Sequence, residues 1–124
     1  MGWTCVPGEP IVVRLRKTKG EAELTEMRRV ARTTMQAFRR VAKLLAAARD
    51  RGGELWLQDE RLTVGRLTRE VARVLADGQL EQPEGGICAP GREGAVPHSP
   101  GTPERVLRAG QSLVLDLYPK GGLF

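Results

Sequence analysis

From Leu24 to Leu45 an apolar position returns every third or fourth residue, through Leu24, Met27, Ala31, Thr34/Met35, Phe38, Val41/Ala42 and Leu45. That spacing collects on one face only in an α-helix, so it predicts a long amphipathic helix. Thr18 and Glu21 stand ahead of it at the spacing of a capping box, and Gly52-Gly53 supply a C-terminal stop. Such a helix needs a partner surface for its apolar stripe. A chain of 124 residues can provide one core but not two. The opposite face carries Arg28, Arg29, Arg32, Arg39, Arg40 and Lys43. With no aromatic residue interleaved among them, we read this stripe as a solvated outer face rather than a nucleic-acid contact.

A second helix follows. Thr63 is a good N-cap, Leu62 and Leu67 have the spacing of a hydrophobic staple, and Leu67, Val71 and Val74/Leu75 form one apolar face. Asp77-Gly78 ends it. Before the first helix, "EPIVVRLRKTKG" has the β-branched run of a short strand leading into a turn. Between the helices, "GGELWLQDERL" reads as a connector. After "EQPEGG", a turn-rich link, the apolar runs "GICAPG", "GAVPH" and "QSLVLDLYP" are broken by Gly and Pro and read as strands and loops. The expected class is α+β, with two amphipathic helices packed on a short antiparallel sheet.

Composition narrows the function classes. Hydrophobic residues make up 40% and charged residues 28%, the balance of a folding chain. The net charge of +5 permits anionic partners without identifying one. Aromatic residues at 4% argue against a base-stacking surface. Cys5 and Cys88 lack zinc-site or disulfide-framework spacing, which makes a reducing cytoplasm the expected compartment. No run has transmembrane length, and "MGWTCVPGEP" lacks a signal-peptide pattern.

Two residues could carry chemistry. His98, the one histidine, lies between Pro97 and Pro100, which stiffen its loop and remove two N–H donors. An imidazole presented that way can donate to a substrate oxygen or act as acid or base near neutral pH. Asp116 sits in Leu113-Val114-Leu115-Asp116-Leu117, where alternation sends the three leucines one way and Val114 and Asp116 the other. A buried carboxylate there needs a cation, and hard divalent ions favour oxygen donors. An exposed strand face would also account for it. "GREG" matches neither the GxGxxG nor the GKS/T phosphate pattern, and GxSxG is missing.

The segment "APGREGAVPHSPGTPERVLRAGQSLVLDLYP" resembles the first active-site segment of the pita-bread metallopeptidases, which include Xaa-Pro aminopeptidase, prolidase and methionine aminopeptidase, with creatinase as a metal-free relative. In that family a glycine-rich strand leads to a histidine, matched by Pro97-His98, and then to an "l..Gq.lv.D" strand, matched from Leu107 to Asp116. "LRKTKGEAELTEMRRVARTTMQAFRRV" looks like the family's first helix and "LTVGRLTREVARVL" like its second.

The resemblance implies an incomplete pita-bread fold: residues 1–16 as an N-terminal strand or linker, and 17–124 as the first half of the catalytic domain. His98 would contact the substrate and steady the tetrahedral intermediate, and Asp116 would be the first ligand of two divalent ions, Mn, Co or Zn. The implied activity is metal-dependent Xaa-Pro aminopeptidase or prolidase-type hydrolysis of a peptide substrate, by a parent protein compatible with a homodimer and needing neither membrane nor nucleic acid. The family's second aspartate, later histidine and two glutamates have no counterpart in these residues, so the 124 residues alone are expected to be inactive and to bind no metal. The family's "D.G" reads Asp116-Leu117-Tyr118 here. The alternative the resemblance allows is a non-catalytic pita-bread module that binds peptides or proteins.

Overall fold

The computed structural model describes residues 2–5 and 7–122. In chain order the elements are helix α1 (Glu9–Lys17), helix α2 (Glu21–Ala47), strands β1 (Arg49–Arg51), β2 (Glu54–Leu57) and β3 (Glu60–Arg61), helix α3 (Val64–Asp77), strand β4 (Ile87–Pro90), a 3₁₀ turn (Gly91–Ala95) and strand β5 (Leu113–Asp116). The α+β class holds, with two small antiparallel sheets: β1-β2-β3 and β4-β5.

The expected N-terminal strand is a helix. Ile11, Val12 and Val13 favour strand geometry locally, yet Pro10 in the first turn, Glu9 at the start and Arg14, Arg16 and Lys17 at the end suit a helix and its dipole. No residue of α1 is buried, so local end effects decide its conformation where packing does not.

The long helix forms, but its bounds and its buried stripe differ from expectation. Its N-cap is Gly20, whose backbone N–H donates to Glu23 Oε2 at 2.7 Å, two residues later than the Thr18/Glu21 box. It ends at Ala47. Gly52 and Gly53, expected as its stop, instead take φ of +66° and +85° in the two-residue turn joining β1 to β2, a conformation that glycine adopts without Cβ strain. The expected connector is thus a β-meander. The buried residues of α2 are Thr33, Ala37, Val41 and Leu44, while Met27 and Met35 are about half exposed.

Small side chains explain that rotation. A Cβ on Gly78 would stand 2.4 Å from Thr33 Cγ2, so the end of α3 crosses α2 where both sides are small. Arg29 donates to the Gly78 carbonyl at that crossing and pairs with Glu26, while Arg40 reaches Glu70 of α3 at 2.7 Å. Two of the six basic residues in the α2 stripe therefore serve this packing, and Arg28, Arg32, Arg39 and Lys43 are exposed.

Helix α3 follows the sequence reading. Thr63 accepts from the Arg66 N–H, Val64, Leu67, Val71 and Leu75 are buried, and Gly78 caps the end. These residues join Ala37, Val41, Leu44, Leu62, Leu80, Cys88 and Leu107 in one core. No helix among the described residues is long and apolar enough to cross a membrane.

Candidate functional site

β4 organises the region that holds both singled-out residues. On one edge it pairs with β5 in the register Ile87↔Asp116, Cys88↔Leu115, Ala89↔Val114 and Pro90↔Leu113. On its other edge the Cys88 N–H donates to the Pro100 carbonyl at 3.1 Å. Gly101 makes that approach feasible: its φ is +84°, and a Cβ there would lie 2.1 Å from the Cys88 carbonyl oxygen.

Between those two edges the chain runs out through the 3₁₀ turn and back. The Ser99 N–H donates to the Val96 carbonyl at 3.2 Å, closing a turn with Pro97 and His98 in its centre. His98 has φ of +59°, giving the proline-then-left-handed order of a type II turn, whose third position usually belongs to glycine or asparagine. Its side chain is exposed. A histidine held where glycine would be easier is a strained residue, and such residues cluster at functional sites.

The base of this loop is clamped. Glu93 accepts from the Thr102 N–H at 2.9 Å and from Arg105 Nε at 2.7 Å. The Thr102 backbone bond, followed by the Arg105 guanidinium, holds the Glu93 carboxyl below the ordinary carboxylate range. Downstream, the Pro103 and Arg105 carbonyls accept from Gly65 and Val64 at the start of α3, at 2.8 and 3.0 Å. These bonds satisfy N–H groups that a helix N-terminus leaves open.

Asp116 is exposed. The strand alternates as expected, with Leu113 and Leu115 half-buried toward the core and Val114 and Asp116 outward. The outward placement removes the burial problem that a carboxylate in an apolar run suggested. A Cβ on Gly94 would stand 2.7 Å from Val114 Cγ2, so the 3₁₀ turn that launches the His98 loop lies against the β5 face bearing Asp116. Among the described residues, Asp116 makes no side-chain hydrogen bond or ion pair of its own.

As an unpaired carboxylate, Asp116 suits a divalent ion as one oxygen donor. It does not make a metal site by itself, since no group of three His, Cys, Asp or Glu side chains gathers among the described residues. Cys88, on β4 between its pairing with Leu115 and its bond to Pro100, is buried. Burial pushes its thiol up to about 11, despite a hydrogen-bonding contact with Thr68.

Sequence reasoning singled out His98 and Asp116 but passed over Glu93, Arg105 and Gly101, which hold the loop. "VPHS" carried a usable signal, proline at the second position of a four-residue turn. The Glu93 clamp joins residues 9 and 12 apart through a fold not visible in their spacing. No family model, curated protein or solved structure matches the chain.

Proposed function

We propose that this chain forms the substrate-facing part of a pita-bread-type metallo-aminopeptidase site acting on peptides of Xaa-Pro type. Beyond the resemblance of Ala89–Pro119, one observation supports the reading most. The 3₁₀ turn leading to His98 packs on the β5 face that carries Asp116, and both ends of the His98 loop are tied to β4.

In this reading Asp116 is one oxygen donor to divalent metal, and the remaining donors come from outside the described residues. Bound metal would supply Lewis acidity. The chain's own residues position and polarise the substrate. His98, held by its turn, donates a hydrogen bond to the oxygen of the scissile carbonyl, where charge develops as the bond is attacked. The Glu93–Thr102–Arg105 clamp ties down the base of the loop that carries that imidazole. Preorganisation of this kind lowers the barrier because no ordering remains to be done at the moment of reaction.

The test is Mn²⁺ titration of the product of the complete reading frame that carries these residues, followed by calorimetry. Asp116→Ala should weaken binding at least about 100-fold, and His98→Ala should leave it nearly unchanged. Equal affinity in the wild type and Asp116→Ala would remove Asp116 from any metal site.

A further inference from the structure

Between α3 and the β4–β5 pair lies a recess of about 120 Å³ that opens to solvent. Val71 and Leu75 from α3, Leu115 from β5 and Leu117 just beyond it contribute to its apolar wall. No charged side chain lines it. Gln82 also lines it, and its Oε1 is buried and has no hydrogen-bond partner among the described residues. Gly86 makes room for that amide: a Cβ there would lie 2.4 Å from Gln82 Nε2.

Apolar recesses with a few convergent polar groups are where small ligands bind, and buried acceptors are nearly always satisfied. Here an apolar recess and a buried acceptor coincide. We propose that the recess binds a small neutral molecule with an apolar, ring-sized body and one hydrogen-bond donor, which it gives to Gln82 Oε1. An apolar cavity of about 150 Å³ accommodates a benzene ring, so this volume suits a single ring or a short branched chain. Neutrality follows from the uncharged wall, since a charge placed there would have no counter-ion. A lone water would need two to four polar partners, and besides Gln82 the lining side chains offer only the Thr68 hydroxyl, which already donates to the Val64 carbonyl, and the Cys88 thiol. The inference stands apart from the proposed peptidase reading, because it uses neither His98 nor the Asp116 side chain.

Phenol is the probe, with toluene as the same-sized ring lacking the donor. Titration of the protein with each, followed by ¹H–¹⁵N NMR, should give saturable phenol binding with shifts in the Gln82 side-chain amide. The ratio of phenol to toluene affinity should fall about tenfold in Gln82→Met, the scale of one net hydrogen bond. Non-saturable phenol shifts, or an unchanged ratio in Gln82→Met, would overturn the proposal. Should Gln82→Met fail to fold, the wild type still decides. The wild type must then bind phenol about tenfold more tightly than toluene, and equal affinity for both would refute the acceptor role.

Discussion

His98 and Gly101 show how single residues set the shape of the candidate site. A left-handed backbone costs a non-glycine residue about 1–2 kcal/mol, of which glycine's greater unfolded-state freedom offsets about 0.5–1 kcal/mol. His98, at φ +59° and exposed, carries that cost with no burial in return. We therefore expect His98→Gly to stabilise the fold by about 0.5–1 kcal/mol in urea unfolding. Loss of stability instead would mean that the imidazole has a structural partner. At Gly101 the opposite holds, since a Cβ would strike the Cys88 carbonyl at 2.1 Å on a backbone already at φ +84°. Gly101→Ala should cost about 3 kcal/mol or more, read from the same unfolding curves; a cost below about 1 kcal/mol would show that the loop does not dock on β4.

At the scale of elements, two contacts decide how the pieces sit. The α2–α3 crossing depends on Gly78 meeting Thr33. Gly78→Ala should destabilise by about 1–3 kcal/mol, and Thr33→Ala in the same chain should recover a good part of that, a coupling that a double-mutant cycle measures. Additive effects would place the crossing elsewhere. The His98 loop depends on Glu93, whose folded carboxyl is held low by the Thr102 N–H and then by Arg105. Because the folded value is depressed, its contribution is present above the unfolded carboxylate range and is lost as pH falls through the lowered folded value. Hydrogen exchange at the Thr102 amide should accelerate, after correction for intrinsic rates, as pH drops through that window. Glu93→Gln should abolish this pH dependence while keeping an acceptor. The elements themselves were unequally legible. α3 and β5 could be read because periodicity, cap and burial agree in them. α1 reads as a strand because its β-branched run favours one locally, and with that run exposed the helix rests on its end residues, a weaker signal. The meander was missed because Gly52-Gly53 is as good a helix stop as a hairpin turn, and local sequence does not choose between them.

For the molecule as a whole, the two candidate residues were legible as chemical anomalies, a lone proline-flanked histidine and a carboxylate in an apolar run. Their relation was not. It depends on β4 pairing with β5 on one side and receiving Pro100 on the other, and on the 3₁₀ turn seating Gly94 against Val114, all contacts between segments distant in sequence. The central claim is that this arrangement belongs to a metal-dependent aminopeptidase. Its most direct test is hydrolysis of an Xaa-Pro peptide by the product of the complete reading frame, with and without Mn²⁺ or Co²⁺, in wild type, His98→Ala and Asp116→Ala. We expect metal-dependent release of the N-terminal residue, reduced about 10²–10³-fold by His98→Ala, the scale of losing one oxyanion donor, and abolished by Asp116→Ala. Folded protein that shows no metal-dependent cleavage, or turnover indifferent to both substitutions, would contradict the claim.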